Sequence, residues 1–260
     1  MIKQYLQPTT VAEAIALKAE HGEQAFFLGG GSKANATPTK VVKPVAIATS
    51  GLNLSGIDTK DGALVLGAGT RLQSLLDHAD VPTSLKAALR FIYSRHIRNQ
   101  ATLGGEIAAV QPERRLIPAL VALQAQLELM QIDGQSLRID METYLQGQHH
   151  GLITAVILPE PEMICVNEQV TRSAAGLAVL TAAVSLPSGC DHPIIVIDGM
   201  AEQPLRLRDV ETQGLADEAL ETAVADAIHP VEDLRGSVEY KKYIAGVVIA
   251  DLLAQAQQEK

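Results

Sequence analysis

Cysteine is scarce in this chain: Cys165 and Cys190 are the only two. That is fewer than an iron–sulfur cluster needs, and the two lack the close spacing of a zinc site. The simplest reading makes both buried thiols. Basic residues are also in deficit, with 21 Lys and Arg against 30 Asp and Glu and a formal charge of -9, so a general nucleic-acid-binding surface is not expected. Although 47% of residues are hydrophobic, no apolar run approaches the roughly eighteen residues that span a bilayer. The opening "MIKQYLQPTT" has no apolar segment of signal-peptide type. The chain is therefore expected in the cytoplasm, with no membrane insertion. Its 260 residues suffice for a large core and two or three sub-domains.

Helix and strand signals alternate along the chain. Thr10 and Glu13 fit a capping box before Val11, Ala14 and Ile15 at helical spacing, and Gly22 suits the exit. "AFFL" then reads as a buried strand leading into "GGGS", and "PVAIAT" is the next strand. "ALVLGAG" is a strand with a small-residue end, after which Thr70 is placed to cap a helix carrying Leu72, Leu75 and Leu76. Leu85, Ala88, Leu89 and Ile92 form a second apolar stripe. "YSRHIRNQATLGGEIA" runs into a second glycine turn at Gly104 and Gly105, and Pro118 suits the first turn of a helix in "RLIPALVAL". "AQLELMQI" and "SLRI" flank the turn signal Asp133-Gly134, and "LITAVIL" supplies a further strand. "PEPE", from Pro159 to Glu162, reads as a linker. Beyond it come the small-residue run "SAAGLAVLTAAVSL", strand-like "PIIVID" and a closing helix with Ile244, Val247, Val248 and Leu252 on one face.

The three glycines Gly29 to Gly31 need a use, since bare backbone is costly in conformational freedom. Gly29-x-Gly31-x-x-Ala34 formally matches the dinucleotide fingerprint, but Pro38 interrupts the helix that should follow and no acidic residue stands at the expected distance. A Walker A loop fails as well, because Ala34 rather than Ser or Thr follows Lys33.

Three separated stretches carry a resemblance instead. "FLGGGS", "RNQATLGGEIA" and "IHPVEDLRGSVEYKKYIAGVVIADLL" resemble, in order and distance, the segments of the FAD-binding subunit or domain of the molybdenum hydroxylases, the xanthine and carbon monoxide dehydrogenase group. The resemblance implies an α+β fold: a PCMH-type FAD-binding domain of two α/β sub-domains, residues 1–55 and 56–160, and a C-terminal domain of the carbon monoxide dehydrogenase flavoprotein type, residues 163–260. It implies that FAD is held between two glycine loops whose main-chain amides converge on the diphosphate. The first loop is Leu28, Gly29, Gly30, Gly31, Ser32, Lys33, Ala34 and Asn35, with Gly30, Gly31 and Ser32 nearest the phosphates. The second is Ala101, Thr102, Leu103, Gly104, Gly105 and Glu106. No side chain is assigned a catalytic role and none a metal, because the cofactor carries the chemistry. A partner subunit with the molybdenum cofactor and another with 2Fe–2S clusters are implied, with NAD+ or another molecule as electron acceptor.

The second loop departs from the pattern. Glu106 replaces the family's Asn after Gly-Gly, and Arg115 stands where an acidic residue is expected. A carboxylate beside a diphosphate is unfavourable; Arg95, His96, Arg98, Arg114 and Arg115 are placed to offset it, or to form a solvated or partner-facing surface. These departures keep open a flavin-free adaptor that retains the fold to dock partners. A stand-alone reductase would need a nicotinamide site, for which no motif stands in the sequence. Gly67-Ala68-Gly69 is either a flavin contact or a packed strand end. Tyr240 and Tyr243 either approach the flavin or pack, and His149-His150 reads as a polar loop.

Overall fold

The computed structural model describes residues 2–34, 43–109, 111, 113–147, 151–173 and 176–260. In chain order the elements are β1 (Gln4–Leu6), α1 (Val11–His21), β2 (Ala25–Leu28), β3 (Val45–Ala48), β4 (Ile57–Lys60), β5 (Ala63–Gly67), α2 (Leu72–Asp77), α3 (Thr83–Arg90), α4 (Arg95–Gln100), α5 (Leu103–Ala108) and α6 (Ile117–Ala122). They continue with β6 (Gln126–Met130), β7 (Ser136–Asp140), α7 (Met141–Gln146), β8 (Leu152–Leu158), β9 (Ile164–Thr171), β10 (Ala178–Leu186), β11 (Ile194–Asp198), β12 (Leu205–Arg206), α8 (Arg208–Glu211), α9 (Asp217–Ala227) and α10 (Val238–Gln258). The chain is α+β, and it divides into two units. One comprises Met1–Ala79, Ser94–Gln111 and Ala125–Pro159; the other comprises Asp80–Tyr93, Pro112–Gln124 and Glu160–Lys260.

The first unit contains two sheets. The parallel sheet has the order β1-β3-β2, and α1 packs on it by Ala14 and Ile15 against Ala25, Val45 and Ile47. β3 is buried at every residue, as the centre of a parallel sheet should be, and its apolar run "VAIA" carries no alternation. Thr10 accepts from the Glu13 amide at 3.1 Å, while the Glu13 carboxylate receives the Thr9 amide at 2.8 Å, so the box closes one residue earlier than expected. The antiparallel sheet has the order β4-β5-β8-β6-β7, and β6 and β7 are joined through the Asp133-Gly134 turn. Thr70 does not cap α2. Its hydroxyl accepts from the Gly56 amide at 2.9 Å and bonds the Gly56 carbonyl at 3.1 Å, tying the end of β5 to the loop before β4.

The second unit is built on the antiparallel sheet β12-β11-β10-β9. Along β10, Leu180, Ala182 and Val184 join the core formed with α8, α9 and α10. The alternate residues face the other way, where the fully buried Ser185 hydroxyl donates to the Ala122 carbonyl of α6 at 2.6 Å. α6 also packs on β11, and α3 packs on β9. Burial on both faces explains the small-residue composition of β10. On α10 the buried stripe is Lys241, Ala245, Val248, Ile249, Leu252, Leu253 and Ala256, whereas Ile244 and Val247 are only half-buried. Small residues set this rotation: a Cβ on Gly246 would lie 2.7 Å from the Glu221 carbonyl oxygen, so α9 and α10 cross at close range there.

The C-terminal signature residues lock the start of α10. Ser237 caps it by accepting from the Tyr240 amide at 3.2 Å. The Lys241 ammonium, with its side chain only 1% exposed, pairs with Asp233 at 2.8 Å and donates to the Val231 carbonyl at 2.7 Å. Arg235 holds Asp233 from the other side at 2.8 Å. Tyr240 and Tyr243 are exposed, at 41% and 65%. Cys165 is buried as expected, but Cys190 is exposed, in the loop that joins β10 to β11 rather than within a strand.

Candidate functional site

β2 ends at Leu28, and the chain leaves the parallel sheet through Gly29, Gly30 and Gly31. Gly31 has φ +73°, a left-handed conformation that suits glycine. Gly30 is required for a different reason: a Cβ there would collide with the Gln100 carbonyl oxygen and lie 2.8 Å from a guanidinium nitrogen of Arg71. Gly29 likewise has no room for a side chain, because the Thr102 hydroxyl would be 2.6 Å from its Cβ. The two glycine segments, far apart in sequence, therefore abut within the first unit. Among the described residues, no acceptor takes the amides of Gly30, Gly31 or Ser32.

The second segment is not the open turn expected. Leu103, Gly104, Gly105 and Glu106 form the first turn of α5, which Thr102 caps by accepting from the Gly105 amide at 3.2 Å. The Leu103 amide donates to Thr70 at 3.0 Å, the Gly104 amide to Ala68 at 2.8 Å and the Glu106 amide to Thr102 at 2.9 Å. The amides of this segment are thus consumed inside the chain. Gly104 is glycine for packing, since its Cβ would come within 2.8 Å of the Ala68 Cβ. Convergence of free amides from both loops, expected from the sequence, reduces to free amides from the first loop set against the capped start of α5.

A cavity of about 460 Å³ lies along the first loop. Leu28, Gly29, Gly30, Gly31, Ser32, Lys33 and Ala34 line it, with Thr102 and Gly105 from the second segment. Ala101 and Leu103 are buried beneath, Gly104 lines a smaller adjoining cavity of about 70 Å³ with Gly69 and Thr49, and Asn35 lies outside the described residues. Gly67 is packed, since a Cβ there would strike the Leu54 carbonyl oxygen, whereas Ala68 lines the smaller cavity with Gly69. His149 and His150 also lie outside the described residues.

The cations at this cavity are not the arginine cluster. Lys18, Lys33 and Lys43 line it, and Glu23 is the acidic residue among its lining. The Lys18 ammonium donates to the Gly22 carbonyl at 2.6 Å, and burial holds it below the usual lysine range. Lys43 pairs with the exposed Glu23 at 3.2 Å, and Arg71 donates to the Gln100 carbonyl beside Gly30. Glu106 is buried, with Lys33 as its ion-pair partner at 3.8 Å and the Gln111 side-chain amide donating to it at 3.4 Å. By contrast, Arg98 bonds Gln73 at 2.9 Å, Arg95 and His96 are exposed, and Arg115 is held within the second unit by Glu113 and the Phe91 carbonyl, both at 2.9 Å. The Arg114 amide donates to buried Asp198 at 2.8 Å. One missed residue was legible: Lys18 lies three and four positions after Ile15 and Ala14, so it shares the buried face of α1. Lys43 and Arg71 left no such pattern.

These residues fit a dinucleotide diphosphate, which needs several N–H donors and positive charge at one place. A family model described as "FAD binding domain in molybdopterin dehydrogenase" matches residues 1–161. The chain belongs to this family. The chain is 47% identical to "Uncharacterized protein YgfM" of Escherichia coli strain K12, over 99% of its own length and 98% of that protein. It is 29% identical to the carbon monoxide dehydrogenase medium chain of Afipia carboxidovorans, over 97% and 96% of the two chains. In fold it is similar to a carbon monoxide dehydrogenase structure from Hydrogenophaga pseudoflava, with a TM-score of 0.88, 24% identity and coverage of 99% and 98%. Among the described residues, no helix is long and apolar enough to cross a membrane.

Proposed function

We propose that this chain is the flavin subunit of a heteromeric, molybdenum-hydroxylase-type oxidoreductase, located in the cytoplasm. The observation that carries the reading is the first glycine loop: three amides for which no acceptor stands among the described residues, beside a cavity lined by three lysines, in a chain of net charge -9. Gly30, Gly31 and Ser32 hold the diphosphate of FAD, with Lys33, Lys18 and Lys43 supplying positive charge. Thr102 and Gly105 line the cavity from the second segment. The chemistry supplied by FAD held there would be exchange between one-electron iron–sulfur donors and a two-electron acceptor such as NAD+.

The chain's two cysteines cannot ligate such clusters, so they belong to partner subunits, as does the molybdenum cofactor. Names of the relatives support a subunit role: one is a carbon monoxide dehydrogenase medium chain, another the alpha subunit of a 6-hydroxypseudooxynicotine dehydrogenase complex. A second reading, a flavin-free adaptor, is favoured by the consumed amides of Leu103 to Glu106 and by the carboxylate held on Lys33.

A visible spectrum and thermal melts with added FAD separate the two. FAD at about a hundred times its dissociation constant adds about 2.7 kcal/mol to the folded state, a rise of roughly 5–10 °C in Tm for a chain of this size. No flavin bands and no shift at high FAD would establish the adaptor. Metal analysis of the tagged chain recovered from its own cells is expected to find iron and molybdenum with it; their absence would remove the relay.

A further inference from the structure

The Glu106 side chain is 4% exposed, yet its Oε2 atom has no hydrogen-bond partner among the described residues. Oε1 has one weak donor, Gln111 Nε2 at 3.4 Å. The remaining compensation is Lys33, whose ammonium stands 3.8 Å from Oε2 and donates to the Gln111 side chain. A carboxylate so deeply buried and so thinly satisfied depends on the cation facing it, because water does not reach the carboxylate, whereas the Lys33 side chain is 28% exposed and open to the cavity. The other cations near the first loop are held differently. Lys43 pairs with Glu23, which is 77% exposed and screened, while Lys18 and Arg71 donate to neutral carbonyls.

We propose that Glu106 is a built-in competitor for the anion site. Its carboxylate engages the cation of the first glycine loop, so an incoming diphosphate shares Lys33 with it and binds more weakly than the loop alone would allow. An anion that accepts a hydrogen bond from Lys33 lies no more than about 7 Å from Oε2, within range of repulsion by that carboxylate. This rests on the flavin reading above and specifies its regulation: affinity for the cofactor is set by a like charge placed behind the loop. Glu106 acts through Lys33 and is a positioning residue.

The test is calorimetric titration of the full chain with FAD and, separately, with inorganic pyrophosphate. Glu106→Gln is expected to bind both about tenfold more tightly, since a like-charge juxtaposition is removed. The gain should disappear when Lys33→Met is added, which a merely structural role for Glu106 would not predict. Glu106→Asn provides a second neutral variant; failure of both to fold would overturn the competitor role, because the charge would then serve the fold. Equal or weaker FAD binding by the neutral variants overturns it and leaves the flavin reading standing. A gain seen with pyrophosphate while FAD binds no variant supports the competitor and removes the flavin reading. Binding of neither probe to any variant overturns both.

Discussion

Lys241 illustrates how much a single buried charge determines. Asp233 is its carboxylate partner, and Arg235, ahead of Lys241 itself, holds that carboxyl well below the usual carboxylate range. Asp233→Asn should therefore destabilise the second unit by about 3 kcal/mol, because it leaves an ammonium buried with one carbonyl. Adding Lys241→Met should recover most of the loss, and urea unfolding of the two variants measures both effects. The sign with pH follows from the depressed folded-state value. Asp233 contributes its full stabilisation above the unfolded carboxylate range near pH 4 and loses it as the pH falls further. Wild type should accordingly lose its advantage over Asp233→Asn in acid; an advantage that grew on acidification would refute the pairing. The two thiols differ just as sharply. Cys190 is exposed, whereas burial, and to a lesser degree the charge of Glu259, pushes the Cys165 thiol up to about 12. An aromatic disulfide reagent at neutral pH should titrate one thiol in the native chain and the second only in denaturant.

Within the elements, α5 shows why glycine spacing was misread. Two adjacent glycines after a threonine suit either an open turn or a capped helix start, and the choice depends on Ala68, more than thirty residues earlier in the chain. If glycine served only to loosen α5, Gly104→Ala would stabilise it by about 1 kcal/mol through helix propensity. The close approach to Ala68 reverses the sign: Gly104→Ala should cost about 1–3 kcal/mol. Ala68→Gly in the same chain should restore part of that, as thermal melts will show. Locally encoded features were legible: the Thr10 cap, the Gly22 exit, Pro118 in the first turn of α6 and the Asp133-Gly134 hairpin. Features set by distant contacts were not. Thr70 gives its hydroxyl to Gly56 instead of α2, and the buried face of α10 follows the close crossing at Gly246 rather than its larger side chains. The first glycine loop was readable as a candidate because steric need and sequence coincide there; the lysines around it come from three separate stretches and were mostly invisible.

At the scale of the whole molecule, the three-part division implied by the family resemblance and the two compact units cut the chain differently. Residues 80–93 and 112–124, which carry α3 and α6, group with the C-terminal residues. α6 covers one face of β10, and Ser185 needs the Ala122 carbonyl as its hydrogen-bond acceptor. A fragment beginning at residue 163 would expose that apolar face. It should aggregate or unfold without a cooperative transition, whereas a fragment spanning 80–260 retains the missing helices. Circular dichroism melts of the two compare them directly. During synthesis the same arrangement imposes an order on events. α3 and α6 emerge well before β9, β10 and β11 and have no sheet to rest on. Two helices with apolar faces wait, unpaired, until the last third of the polypeptide leaves the ribosome, so the second unit is the one that chaperones would need to shield.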